Sequence, residues 1–248
     1  MNKKLILHIP HSSTIIPQKE DYNVEDALLE KEMLKLNDWY TDELFASTED
    51  ISVVASFSRI FCDAERFADD SQEVMAKYGM GALYEKCDNG QSLRSLSPSR
   101  KTYLLKTYYW KHHQKLSAAV KQQLDAFGKA TILDCHSFPS KALFRDLDQR
   151  PNRPDFTLGT DAFHTSKELL ELSTAYFEKK GFSLGIDWPY KGSIVPLEYY
   201  QKNKQVSSIM LEVNRALYLN EPGNDKSASF EHIQKIVQEF MKELRQSL

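Results

Sequence analysis

Five short apolar runs divide the chain, and polar residues or a proline bound each of them. Apolar runs of this length, closed by such residues, are typical of buried strands rather than of helices. The predicted strands span residues 3–9, 51–57, 129–135, 155–160 and 206–213.

Between these runs, apolar residues recur every three or four positions, which is the spacing that predicts helices. One helical segment begins at Ser97-Pro98 and ends at Gly128, and another begins at Thr165 and ends at Gly181. These are ordinary start and stop signals of helices. The helical segments lie within residues 24–47, 97–128, 165–181 and 227–247, and the weakly patterned stretch 69–99 is predicted to be a long loop.

Strands that alternate with helices predict an α/β fold with three layers, in which helices cover both faces of a mostly parallel, mixed sheet. The chain has 248 residues, of which 41% are hydrophobic, enough for one sizeable core. We therefore expect a single domain over residues 1–248.

Charge and cysteine content restrict the partners and the compartment. The net charge is −3 and the pI is about 6.2, so nothing indicates nucleic acid as a partner. We expect no contact with a membrane, because no apolar run reaches about 18 residues, and the first residues lack a secretion signal. The three cysteines form no C-x-x-C pair. This favours a reducing compartment, and a cytoplasmic location is expected.

Polar residues whose side chains could bind a ligand or take part in catalysis lie at or just after the ends of four of the five predicted strands. In open parallel sheets, ligands bind beyond the carboxyl ends of the strands. A lone histidine at such an end is more often structural, but here several strand ends contribute to one edge. These residues are His8 and His11; Ser58, Arg59 and Asp63; Asp134, His136 and Ser137; and Glu212 and Arg215.

His11 and His136 are candidate ligands of a catalytic zinc ion, which takes three protein ligands and leaves one position open. Asp38 is the first choice for the third ligand, and Asp42 is the second. The two carboxylates are four residues apart and would share one face of a helix. Spacing alone favours a simpler role for both, in which they cap or solvate an exposed helix.

Neighbours of His136 on its strand have different predicted roles. Cys135 points to the opposite face and is interpreted as a core residue. Asp134 shares the face of His136, where it could orient the imidazole or bond to backbone at the strand edge. Of the pair His112 and His113, we expect at least one to pack among aromatic residues, and His113 is an alternative site residue.

Three arginines are candidates for binding a substrate carboxylate, because a guanidinium offers two parallel donors to a planar acid group. They are Arg59, Arg66 and Arg215, although an ordinary ion pair explains any one of them. Gly192 would allow backbone to approach a ligand closely, and a plain turn explains it nearly as well.

Seven sequence stretches, in this order, resemble motifs of the N-formylglutamate amidohydrolase family. They are "HIPHSS" followed by "IIP", "NDWYTDELF", "SRIFCDAER", "DCHSFP", "DFTLGT", "DWPYKGS" and "IMLEVNRALYLN", and they run from about His8 to Asn220. Each motif is weak alone, and the ordered set is fairly specific.

The resemblance implies a phosphorylase/hydrolase-like fold related to zinc-dependent exopeptidases. It implies hydrolysis of an N-formyl amide to formate and free glutamate, with Zn²⁺ or another divalent metal as cofactor. Carried over to this sequence, His11, Asp38 and His136 would hold the metal. Glu212 resembles the general base of the related exopeptidases, and Arg59 and Arg66 would hold the substrate carboxylate.

Two residues depart from the family pattern by adding negative charge. Glu65 stands where the family more often has Asn, and Asp187 stands where an Asn commonly precedes "PY". The expected partner is a small N-acyl amino acid with a carboxylate, and another acyl amino acid or a peptide end stays open. The alternatives are a deacylase or carboxypeptidase-like enzyme of other specificity, and a metal-free binding protein.

Overall fold

The computed structural model describes residues 3–247, which form one six-stranded sheet in the order β2-β1-β3-β6-β4-β5. Strands β2, β1, β3 and β6 run parallel to one another, whereas β4 runs antiparallel to β6 and parallel to β5. The predicted mostly parallel, mixed sheet is therefore confirmed. The strands are β1 Leu5–Ile9, β2 Ile51–Val54, β3 Ala130–Phe138, β4 Phe156–Gly159, β5 Leu184–Ile186 and β6 Val206–Asn214.

Within residues 3–247, six α-helices accompany the sheet. They are α1 Asp26–Leu36, α2 Thr41–Leu44, α3 Pro98–Leu104, α4 Trp110–Phe127, α5 Lys167–Lys179 and α6 Phe230–Gln246. One turn of π-helix, Leu105–Tyr109, joins α3 to α4, so the predicted helix 97–128 is continuous. Ser97 caps its start by accepting a hydrogen bond from the Arg100 backbone, and Gly128 follows its end at φ 69°. No helix between residues 3 and 247 combines the length and apolar character needed to cross a membrane.

The two faces of the sheet carry different residues because side chains alternate along each strand. Odd-numbered residues of β3, such as Leu133 and Cys135, lie in the core beneath α5 and α6. Ile132, an even-numbered residue, packs against Leu116 and Val120 of α4 on the other face. The three-layer arrangement is thus confirmed, and the even face of β3 leads to the carboxyl edge.

The predicted helix 24–47 breaks in its middle. Asn37 leaves α1 with extended backbone (φ −70°, ψ 143°), and Tyr40 precedes α2 with a left-handed φ of 61°. The break is fixed by tertiary contacts, because the Asp38 N–H donates to the His11 carbonyl at 3.1 Å. The prediction that Asp38 and Asp42 share a helix face is therefore wrong.

Candidate metal centre and active-site cavity

Three side chains converge at the carboxyl edge of the sheet: His11 after β1, Asp38 between α1 and α2, and His136 near the end of β3. One ligand atom from each lies within 4.8 Å of the others, and all three residues are buried. Asp38 Oδ2 is 3.0 Å from His136 Nδ1 and 3.4 Å from His11 Nδ1. The structure thus brings together the three residues that the sequence selected as metal ligands.

Asp63 holds the far side of the His11 ring. His11 Nε2 lies 2.8 Å from Asp63 Oδ1, while Arg59 and the Tyr84 hydroxyl donate to Asp63 Oδ2. Burial alone would raise the pKa of Asp63, but Arg59 and His11 hold that pKa well below its usual range. The ionised carboxylate can only accept, so Nε2 carries a hydrogen and Nδ1 is the nitrogen that faces Asp38. His11 Nδ1 has no hydrogen-bond partner among the described residues.

Asp134 plays the same part for His136. His136 Nε2 lies 3.0 Å from Asp134 Oδ1, and its Nδ1 faces Asp38. Burial alone would lower the pKa of His136, but Asp134 and Asp38 raise it well above the usual value. Each histidine therefore has one nitrogen fixed by a carboxylate and the other aimed at Asp38. This is the pattern that orients metal-binding histidines in proteins.

The Asp38 carboxylate is held from its other side by arginine. Arg215 Nη2 lies 3.1 Å from Asp38 Oδ1, and Arg59 Nη1 lies 3.6 Å from the same oxygen. Burial opposes ionisation, but contacts with His11 and His136 and the charge of Arg59 keep the pKa of Asp38 well below its usual range. Asp38 is therefore ionised and positioned to act as an anionic ligand.

Glu212 lies beside His136, because the two are partners in the pairing of β3 with β6. Its side chain is buried, and its Oε2 has no hydrogen-bond partner within residues 3–247. Burial, reinforced by the charge of Asp38, raises the pKa of Glu212 to about 8 against the opposing effect of His136. A carboxyl group whose pKa lies near neutral pH, and which has one oxygen without a hydrogen-bond partner, is suited to exchanging protons.

A second group of potential ligands, made of His8, Glu65 and Asp134, is accounted for without a metal. His8 Nδ1 lies 2.9 Å from both carboxylates, and its Nε2 lies 2.8 Å from His112 Nε2. Burial lowers the pKa of His8, but Asp134 and Glu65 outweigh it and raise the value to about 9. Burial, with the charge of His8, lowers the pKa of His112 to about 2, so His112 accepts. A protonated His8 therefore compensates both acids.

A cavity of about 210 Å³ opens over His11, Asp38, His136 and Glu212. All three predicted arginines line it, but they differ in how many hydrogen bonds they already donate within the protein. Arg59 donates to Asp63 and to the Leu36 carbonyl, and Arg215 donates to Ser137, the Lys35 carbonyl and Asp38. Arg66 makes only distant ion pairs, 3.7 Å from Asp63 and from Glu73. The Arg66 guanidinium donates no hydrogen bond in the described part of the chain, so Arg66 has donors free for a ligand.

The other candidates lie outside the metal group. Asp42 is exposed on α2, so the second choice of ligand is not brought to the site. His113 Nε2 bonds the Ala64 carbonyl at 3.0 Å. Gly192 has a φ of 94°, in the region that favours glycine, and its carbonyl approaches Gly159 closely enough to leave no room there for a Cβ. Asp187 accepts from the Thr160 N–H and hydroxyl and does not line the cavity.

Sequence reasoning missed several residues around the site. Asp63 and His8 were recognised only as strand-end residues, and Tyr84 and Arg145 carried no signal. Tyr84 comes from the long loop and reaches Asp63 at 2.7 Å, and Arg145 lines the cavity from the segment after β3. Their roles depend on contacts between distant segments, which spacing along the chain does not encode.

Comparison with known proteins gives a consistent result. The family model for N-formylglutamate amidohydrolase matches residues 3–219. The N-formylglutamate deformylase of Pseudomonas putida is 26% identical over 98% of this chain and 91% of its own, and that of Pseudomonas aeruginosa is 25% identical over 88% and 82%. The solved structure of N-formylglutamate amidohydrolase from Ralstonia eutropha JMP134 has a TM-score of 0.84 at 23% identity and covers 99% of this chain and 94% of that one. A gene product from Agrobacterium tumefaciens has a TM-score of 0.66 at 16% identity, covering 98% and 92%. The two solved structures therefore share the fold.

Proposed function

Because the chain belongs to the N-formylglutamate amidohydrolase family, we propose that it is a metal-dependent hydrolase of N-acyl amino acids such as N-formylglutamate. One observation carries the proposal. His11 Nδ1, His136 Nδ1 and an Asp38 oxygen converge, while the opposite nitrogen of each histidine is fixed by a carboxylate. The names of the curated relatives support the same reaction.

The residues fit a divalent ion, zinc above all. Two imidazoles and a carboxylate are a usual donor set of catalytic zinc sites. The unpartnered, buried Nδ1 of His11 supports this fit, because a buried polar atom without a partner is costly. An ion held there would supply Lewis acidity, which polarises a carbonyl group and acidifies water.

Glu212 would act as the proton carrier. It would accept a proton from the attacking water and return it to the nitrogen of the leaving amino acid. The first step requires Glu212 in its carboxylate form. A metal ion held by His11, Asp38 and His136 would favour that form by its positive charge. Arg66, with donors free over the cavity, would hold the substrate carboxylate, while Arg59 and Arg215 would hold the carboxylates around the metal group.

The direct test combines metal analysis with product release. Protein purified without chelator should contain about one zinc per chain. It should release formate and glutamate in equal amounts from N-formylglutamate, lose activity in EDTA, and regain it with zinc. Absence of metal, with no activity after reconstitution, would instead support the metal-free binding protein.

Arg66→Ala should weaken substrate binding more than it slows the reaction. Charged hydrogen bonds contribute about 1.5–3 kcal/mol, so KM for N-formylglutamate should rise about 10- to 100-fold with a smaller change in kcat. Steady-state kinetics measure both constants. The matched control is Arg150→Ala, because Arg150 is exposed, pairs with Asp148 and does not line the cavity. Unchanged constants for Arg66→Ala would remove it from substrate binding.

A further inference from the structure

A second cavity, of about 460 Å³, adjoins the active-site cavity. Glu65, Arg66, Lys191 and Met210 line both, so the two cavities share a boundary next to the metal group. We call the second cavity the apolar annex, because large apolar and aromatic side chains dominate its wall. They are Phe67, Trp110, Val195, Leu197, Tyr200 and Met210.

The rim of the apolar annex leaves apolar surface in contact with water. Phe67 is 47% exposed, Trp110 is 39% exposed and Leu197 is 51% exposed. Single exposed apolar residues are ordinary, but a group of them around one concavity is typical of a binding site. These three residues come from different parts of the chain and meet only at this cavity.

Four carboxylates line the apolar annex, and each has a contact within the protein: Glu65 lies 2.9 Å from His8 Nδ1, and Asp69 accepts from the Ser71 N–H. Asp134 accepts from the Ile194 N–H at 3.0 Å, besides its contacts with His8 and His136. Asp161 accepts from the Phe163 and His164 N–H groups. A ligand therefore meets mainly hydrocarbon and aromatic surface in the interior of the apolar annex, and meets cationic groups only at the shared boundary.

We propose that the apolar annex binds the acyl group of the substrate, and that the preferred substrates are amino acids carrying an acyl chain larger than formyl. This inference rests on the proposed function. With the substrate α-carboxylate at Arg66 and the amide carbonyl at the metal group, the acyl substituent and the amino-acid side chain remain to be placed. The side chain of glutamate ends in a second carboxylate, which suits the cationic groups at the shared boundary, so the apolar annex is left for the acyl substituent. A formyl group has only a hydrogen at that position and would leave the apolar annex unfilled.

The test is a series of substrates with one amino acid and a growing acyl group: N-formyl-, N-acetyl-, N-butyryl-, N-hexanoyl- and N-benzoyl-glutamate. Glutamate release by the zinc-loaded enzyme gives kcat/KM for each. Buried methylene groups should raise kcat/KM about fourfold each until the apolar annex is full. N-formyl-leucine and N-formyl-phenylalanine form a second arm, in which the apolar group is on the amino acid.

A pair of matched variants locates the effect. Leu197→Ser should lower the hexanoyl-to-formyl ratio of kcat/KM about fivefold or more, since it removes apolar wall. Leu147→Ser makes the same change at a residue that is 68% exposed and lines neither cavity, and it should leave the ratio unchanged.

The outcomes separate the inference from the function on which it rests. If formyl is preferred throughout and Leu197→Ser leaves the ratio unchanged, the inference is overturned while the proposed function stands. A preference that grows only in the second arm assigns the apolar annex to the amino-acid side chain and overturns the acyl assignment. If the enzyme with zinc hydrolyses none of these substrates, the proposed function and the inference fail together.

Discussion

Replacing His136 with alanine is expected to abolish both bound metal and turnover. The change removes one of the three proposed ligands and leaves Asp38 and Asp134 without the imidazole between them. The loss of zinc affinity should exceed the roughly 10- to 100-fold that removal of a supporting partner costs in metal sites. Zinc content after dialysis and kcat/KM on N-formylglutamate measure the two effects.

Two further variants make the His136 result specific. Asp134→Asn keeps the ligand and removes the carboxylate that orients it, so it should show a smaller loss of affinity, about 10- to 100-fold. His232→Ala changes an exposed histidine of α6 and should keep metal and turnover. Circular dichroism checks that each variant is folded. Retention of full zinc content by a folded His136→Ala variant would contradict the proposed ligand set.

Glu212→Gln should retain zinc and lose nearly all turnover. The amide has the size of the carboxyl group but cannot carry the proton, and a positioned general base contributes about 10²- to 10⁴-fold to the rate. The loss should appear in kcat, because Glu212 is not among the proposed metal ligands. The measurement is kcat on N-formylglutamate with zinc content determined on the same sample.

Glu178→Gln is the control for Glu212→Gln, since Glu178 is exposed on α5. It should match the unmodified protein in zinc content and in kcat. A fully active Glu212→Gln variant would remove Glu212 from the mechanism. Loss of zinc together with activity would instead assign Glu212 to metal binding.

Much of the fold follows from patterns within single segments. The apolar runs place β1, β2, β3, β4 and β6, and the cap signals place the ends of the helix that closes at Gly128. Strand β5 was missed because three residues, Leu184–Ile186, are too few to show a period. The turn at Asp38 was missed because it depends on a hydrogen bond to His11, twenty-seven positions earlier in the sequence.

The candidate site divides in the same way. His11, His136 and Glu212 follow apolar runs, so their place at the carboxyl edge could be predicted from the sequence. How many hydrogen bonds Arg59, Arg66 and Arg215 each donate could not be predicted, because most of the partners are distant from these arginines along the chain. Asp63 sits four residues after Arg59, which hinted at their ion pair but not at the bond to His11.

Asp134 has a consequence that concerns both cavities together. Its one carboxylate contacts the His136 ring and also accepts from the Ile194 N–H, in the segment that forms a wall of the apolar annex. A ligand that shifts this segment therefore acts on the orientation of His136, a proposed metal ligand. Thermodynamic linkage makes such an effect reciprocal: if filling the apolar annex changes metal affinity by some factor, metal loading changes affinity for that ligand by the same factor.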